Sequence, residues 1–285
     1  MLAKIIEKKY CGDKKLLEMV EQAVDHLDST SIADILTGMG YHNGNTLPVE
    51  IHQVSGHKDW GLPYTPSEVA SEMKGSAHEA QHRSEKTVVG MALPVYAPKG
   101  TCIPFFLPMY SDKIKDHVLV VASAKADEPA YTECAYLGDI QALTAARNGC
   151  RGIIVDGAVR DRKGLQDIDM PVWARGFRPN PPRKEQEGSI NDTITIQGAI
   201  IESGDIVVAD ANGIVVIPKG IVPEVLEKAA KKEAADEARK SAVEKFDFKA
   251  VENPDDHNEY DSIMNLDIKA YLKSQAVEEA VAVQA

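Results

Sequence analysis

The sequence has no C-x-x-C pair, no apolar run approaching the ~20 residues of a membrane helix, and a shortage of basic side chains. Its four cysteines (Cys11, Cys102, Cys134 and Cys150) stand far apart. That spacing suits a reducing compartment better than a disulfide framework or a zinc knuckle. Against 44 Asp and Glu there are only 32 Lys and Arg, a formal charge of -12. Such a surface repels phosphate, so a general nucleic-acid binder is not expected. The opening "MLAKIIEKKYCGDKK" lacks the apolar core and small-residue cleavage site of a secretory signal. The expected location is the cytoplasm, with no membrane partner. No internal repeat is present.

What remains is an ordinary soluble composition, 44% hydrophobic and 27% charged over 285 residues. In "KLLEMVEQAVDHL", Leu16, Leu17, Val20, Ala23, Val24 and Leu27 share one helical stripe. A second helix is expected in "STSIADILTGMG", with Ser31 and Asp34 as a capping box and Gly38 and Gly40 as its stop. Residues 41–86 are rich in Gly, Pro and His and read as an insertion, helical in its later part.

The texture then changes to short β-branched runs bounded by Gly, Pro and Asp: "TVVGMALPVYA", "DHVLVVASA", "RGIIVDGAV", "MPVWARGF", "DTITIQGAI" and "DIVVADANGIVVIP". In the last, Asn212-Gly213 signals a tight turn between two strands. One helix, "DIQALTAARNG", interrupts the strands, and "IVPEVLEKAAKKEAADEARKSAVEKF" is a long helix with Pro223 near its first turn and a solvated Glu/Lys face. "TCIPFFLPMY" reads as core before pocket wall. Residues 1–246 are therefore expected to form one domain, and residues 247–285 an arm that packs on a neighbour or is partly disordered.

Two stretches carry recognisable chemistry. His78-Glu79-Ala80-Gln81-His82 has the H-E-x-x-H form of a zinc peptidase, in which two histidines share a helix face. The flanks are wrong for a buried zinc helix: Gly75 and Ser76 precede it, and Arg83 and Ser84 come after. A polar helical insertion is the better reading; a softer functional one brings His78 or His82 to another metal site.

The second stretch is "GDIQALTAARNGCRGIIVDGAVRD", residues 138–161. Gly138-Asp139 opens a helix, whose first N–H groups near Ile140 and Gln141 are suited to a carboxylate. The strand "GIIVDG" then delivers Arg160 and Asp161 side by side. Asp161 offers hard oxygens for Mg2+ or Mn2+, and Arg160 a planar fork for an oxo-acid oxygen. Separately each has a bland reading, Asp139 as a helix cap and Arg160-Asp161 as a surface ion pair.

The spacing Asp139-x20-Arg160-Asp161 resembles the D-x20-R-D signature of the RraA-like family. "STSIADILTGMG", "VVGMALPV", "MPVWARGFRP" and "SGDIVVADANGIVVIP" keep that family's order, over roughly residues 25–240. The family includes class II pyruvate aldolases acting on 4-hydroxy-4-methyl-2-oxoglutarate and 4-carboxy-4-hydroxy-2-oxoadipate, and protein regulators of ribonuclease E. The resemblance implies an α/β fold, a ββα sandwich of the swivelling-domain type, assembled as homotrimers or homohexamers with sites between subunits.

It also implies roles. Asp161 would bind a divalent metal, Mg2+ first and Mn2+ or Co2+ as alternatives, and Asp139 would hold a metal-bound water. Arg160 would contact the pyruvyl oxygens, while Gly138 and the amides of Ile140 and Gln141 would hold the carboxylate. Glu237 of a neighbouring subunit, or less suitably Asp236, would complete the site. The implied reaction is retro-aldol cleavage of a 4-hydroxy-2-oxo acid to pyruvate and a second carbonyl acid, with oxaloacetate decarboxylation on the side. The alternatives are a non-catalytic regulator of ribonuclease E, or another metal-dependent enolate reaction (decarboxylation, dehydration, isomerisation) on a related oxo acid. The insertion, the tail and the lengthened "AKADEPAYTEC" depart from the family's compact domain and leave the substrate open.

Overall fold

The computed structural model describes residues 5–24, 27–55, 87–126 and 128–245. Within them, nine strands form one mixed sheet whose continuous path runs β1 (Ile5–Glu7), β7 (Gly188–Ile190), β3 (Val88–Tyr96), β4 (His117–Ala122), β5 (Gly152–Val159), β6 (Val172–Phe177) and β2 (His52–Ser55). Its centre is parallel: β3 (Val88–Tyr96), β4 (His117–Ala122), β5 (Gly152–Val159) and β6 (Val172–Phe177). β4 and β5 are buried along their whole length, which is why they read as unbroken apolar runs without alternation.

Apart from β1, the strands flanking that centre pair antiparallel. β10 (Ile206–Asp210) pairs with the first half of β3 and with β11 (Gly213–Ile217). β7 (Gly188–Ile190) takes over at Val95 and Tyr96 and carries β1 (Ile5–Glu7) in parallel. β2 (His52–Ser55) adds to the far edge beside β6, so the beginning of the stretch read as an insertion contributes an edge strand. A separate hairpin, β8 (Ile194–Ile196) with β9 (Ala199–Ile201), splits what the sequence showed as one run.

Three apolar clusters hold these layers. On one sheet face, Phe105 and Met109 of α3 (Ile103–Met109), Ala142 and Ala145 of α4 (Asp139–Arg147), and Leu165 of α5 (Arg162–Gln166) pack on Leu119, Ile153 and Val155. On the other, Ile194, Ile196 and Ile201 of the small hairpin meet Ile154 and Trp173. The third joins Leu17 and Val20 of α1 (Lys14–Ala23), Ile32 and Leu36 of α2 (Ser29–Gly38), and Val222 and Val225 of α6 (Val222–Lys245) to β10 and β11. "TCIPFFLPMY" is thus mainly core, with Leu107 and Tyr110 exposed.

Contacts divide the chain into two compact units, Met1–Ala229 and Ala230–Ala285. In the second, the described part of α6 carries the ion pairs Lys232–Asp236 (2.6 Å) and Lys240–Glu237 (2.8 Å). Among the described residues no helix is long and apolar enough to cross a membrane.

Two local expectations need correction. α2 is capped by Asp28, whose side chain accepts from Ser31 N at 2.8 Å, and not by Ser31. Extended backbone at residue 28 lets its carboxylate reach back over the first turn, so the helix starts earlier. The β10–β11 turn is made by Ala211-Asn212, because Gly213 already pairs with Asp210. Asp210 Oδ1 accepts from Asn212 N (2.8 Å), and its two oxygens also bind Ser29 N and Oγ, tying turn to α2. Asp28→Ala is expected to cost about 1 kcal/mol of stability, read from urea unfolding, with the midpoint lowered and the slope unchanged.

A second expected outcome concerns His117, the first residue of β4. It is buried, its Nδ1 lies 2.6 Å from Lys115 O, and Tyr10 presents its ring at 4.8 Å. Nε2 is buried without a hydrogen-bond partner. Burial, the dominant influence, pushes the imidazole pKa down, against the Lys115 carbonyl and Asp116. A depressed folded pKa means the unfolded chain binds the proton first, so stability falls as pH drops below the unfolded value of about 6.5. The fall in melting temperature between about pH 7.5 and about pH 5.5 should be smaller in His117→Phe than in the wild type. An equal fall in both would assign it to other groups.

Candidate active site

The site forms where the chain leaves β5. Residues 135–137 run parallel to the end of that strand: Ala135 bridges Ala158, Tyr136 N donates to Ala158 O (2.8 Å), and Arg160 N donates to Leu137 O (3.0 Å). This short ladder sets Gly138 and Asp139, the start of α4, against Arg160 and Asp161. Tyr136 anchors it. Its ring is fully buried, and its hydroxyl donates to Ala97 O (3.1 Å) and accepts from Gly100 N (3.0 Å). A buried tyrosine needs such partners, and here they lock the approach to α4.

Asp161 sits in the left-handed region (φ 59°, ψ 47°) and heads α5. Its carboxylate lies 3.3 Å from Arg160 Nε, and both side chains are partly exposed, at 42% and 35%. Arg160 Nε is itself buried and makes no hydrogen bond. A guanidinium nitrogen withdrawn from water, whose nearest carboxylate is an ion-pair partner outside hydrogen-bond geometry, is suited to an incoming oxyanion.

Two glycines make room for the carboxylates. A Cβ on Gly138 would overlap Asp161 Oδ2 and come within 3.1 Å of Asp161 Cγ and 3.2 Å of Arg160 Cγ. A Cβ on Gly164 would overlap Asp139 Oδ2 and lie 2.8 Å from Asp139 Cγ. Each acidic side chain therefore occupies space that only a glycine leaves. The α4 N-terminus is closed by Gly138 N donating to Gln141 Oε1 (3.1 Å) and Ile140 N to Asp139 Oδ1 (2.7 Å). The Ile140 amide is thus taken by a carboxylate oxygen of the chain itself, and a substrate carboxylate would have to displace it. The Ile140 side chain is exposed beside the site.

Gly138, Asp139, Ile140, Gln141, Arg160 and Asp161 are thus brought together. Glu237 belongs to the second compact unit, where it pairs with Lys240. His78 and His82 lie outside the described residues. Gly164 and Tyr136 were missed by sequence reasoning. The glycine three residues after Arg160-Asp161 was a visible signal; the tyrosine gave none. Arg162, the first residue of α5, stands over the Phe177 ring, 5.6 Å from its centre.

Among the described residues, no three His, Cys, Asp or Glu groups are placed to hold a metal ion. That does not count against Mg2+, which keeps several waters and takes only one or two carboxylates. A partly exposed Asp161, with Asp139 beside the same helix start, fits such a water-rich site; it does not fit a closed zinc site.

A family model described as "RraA-like: Aldolase/RraA" matches residues 66–216, and the chain belongs to that family. A Halalkalibacterium halodurans protein named "Putative 4-hydroxy-4-methyl-2-oxoglutarate aldolase" is 37% identical over 156 residues, 55% of this chain and 71% of that protein. The crystal structure of Streptomyces coelicolor RraAS2, described as an unusual member of the RNase ES inhibitor RraA family, superposes with a TM-score of 0.58 at 21% identity. It covers 82% of this chain and 99% of its own. An uncharacterised Pseudomonas syringae protein does so with a TM-score of 0.59 at 20% identity, covering 84% and 96%. At those identities the two structures establish the fold alone.

Proposed function

We propose that the protein is a divalent-metal-dependent lyase that cleaves a 4-hydroxy-2-oxo acid to pyruvate and a second carbonyl acid. The observation that carries this reading is the meeting of Arg160 and Asp161 with the start of α4, with Arg160 Nε withdrawn from water, ion-paired to Asp161 and making no hydrogen bond. Asp161 provides the hard anionic ligand, and Mg2+, Mn2+ or Co2+ held there supplies Lewis-acid polarisation of the 2-oxo acid.

The remaining work falls to the chain. The α4 N-terminus, through Ile140 and Gln141, orients the substrate carboxylate. Arg160 holds the 2-oxo oxygen and takes up its negative charge as the C3–C4 bond breaks. Asp139 orders the water that accepts the C4 hydroxyl proton, and a proton returned to C3 completes pyruvate. Loss of carbon dioxide from oxaloacetate would leave the same enolate, so that decarboxylation is the expected side reaction. The same reading includes the swivelling ββα arrangement, a homotrimer or homohexamer, and Glu237 supplied by a neighbouring subunit.

The test is pyruvate release from a panel of 4-hydroxy-2-oxo acids and oxaloacetate, with Mg2+ or with EDTA. Turnover that needs the metal is expected. No turnover on any of them, together with tight capture of ribonuclease E, would overturn the lyase in favour of a regulator.

A further inference from the structure

The register of β5 against β6 slips by one just before the site. Val155 lies beside Ala174 and Ala158 beside Gly176, so Asp156 and Gly157 together face the single residue Arg175. Regular pairing would set Val159 beside Arg178, yet it lies beside Phe177. Bulges between parallel strands are rare, and a bulge bends its strand and re-aims the residues beyond it. Here the residues beyond the bulge lead, past the end of β5, into Arg160 and Asp161.

A buried ion pair spans the bulge. Arg175 Nε donates to Asp156 Oδ1 at 2.6 Å, with side-chain exposures of 12% and 8%. Arg175 Nη1 is 4.0 Å from Glu50 Oε2, while Nη2 is buried with no hydrogen-bond partner. Burial works against the charged Asp156 and pushes its pKa up, with Arg175 pulling the other way. Two desolvated charges with one nitrogen unsatisfied are a poor stabiliser; an apolar pair would serve the core as well. Their geometry is specific, however. On the other side, a Cβ on Gly157 would come within 2.6 Å of Tyr136 Cε2 and 3.1 Å of Tyr131 O. The bulge is therefore fitted between Arg175 and the tyrosine that anchors residues 135–137.

We propose that Asp156 and Arg175 form a positioning clamp: by holding the bulge in β5 they set the direction in which Arg160 and Asp161 meet Gly138 and Asp139. The catalytic consequence rests on the lyase reading; the geometric claim does not.

The experiment compares Asp156→Asn, Arg175→Gln, the double variant and Gly157→Ala. Mn2+ binding is read by electron paramagnetic resonance, and kcat and KM from pyruvate release. A glutamine Nε2 stands at the same bond count from Cα as arginine Nε, so the double variant keeps a neutral hydrogen bond across the bulge. Each single variant, and Gly157→Ala, should lose about 10- to 100-fold in Mn2+ affinity or kcat. The double variant should recover to within several-fold of wild type. Singles that melt earlier yet keep Mn2+ affinity, kcat and KM within twofold would reduce the pair to a structural role and overturn the clamp. If the singles do not fold, the other two decide: a folded double variant as impaired as expected for the singles, or a Gly157→Ala protein that binds Mn2+ fully, overturns it. A wild type that neither binds Mn2+ nor releases pyruvate defeats the lyase reading alone. Crystal structures of the variants then judge the clamp, which expects a lost register shift and a displaced Asp161; an unchanged bulge refutes it.

Discussion

Asp161→Asn is expected to keep the fold and lose metal-dependent pyruvate release by about a thousandfold, because Lewis-acid stabilisation is worth several kcal/mol and each 1.36 kcal/mol is about a factor of ten. Asparagine is the right substitution. Residue 161 holds a left-handed backbone (φ 59°), which costs most side chains of order 1–3 kcal/mol but suits Asp and Asn. Asp161→Ala would mix strain with the loss of a ligand. Removing the charge should disturb stability little, since the Arg160–Asp161 pair is partly solvated and such pairs contribute about 0–1 kcal/mol. The informative result is an unchanged melting temperature beside lost Mn2+ binding and lost turnover. Full Mg2+-dependent turnover in Asp161→Asn would place the metal elsewhere.

How much of the molecule is legible in its sequence depends on where the determining interaction lies. The central strands β4 and β5 were legible because burial on both faces turns them into runs dominated by Val, Ile and Leu. The site was legible because Asp139 and Arg160-Asp161 are joined through α4 and β5, each marked by its own local pattern. Strands β1, β2 and β7, of three or four residues, were not, because their ladder partners lie far along the chain. The same reason explains the shifted turn: Asn212-Gly213 is a strong local signal, but Asp210, bound to Ser29 of a distant helix, sets the pairing. The cap of α2 was misread because Ser31 and Asp34 offered a pattern while Asp28 offered geometry. The engagement of the Ile140 amide by Asp139 Oδ1 depends on a side-chain torsion, which no residue pattern encodes.

Gly138→Ala is the sharper probe of the site, since it alters no charge and no ligand. The backbone there is extended (φ -128°, ψ -164°), so alanine meets no conformational penalty. What it meets is Asp161 Oδ2, with Asp161 Cγ and Arg160 Cγ close behind. Both of those side chains are partly exposed and can swing aside, so the fold should survive, with about 1 kcal/mol or less lost at the helix cap. Catalysis should not. A displacement of about 1 Å at a reacting group can cost a hundredfold, and the methyl forces one of that size on the metal ligand and the guanidinium together. Gly164→Ala applies the same pressure to Asp139 alone, and if Asp139 only orders a water its loss should be the smaller. Measured side by side, a larger loss at 138 than at 164 supports the division of labour between the two carboxylates. The reverse order would move the essential ligand from Asp161 to Asp139.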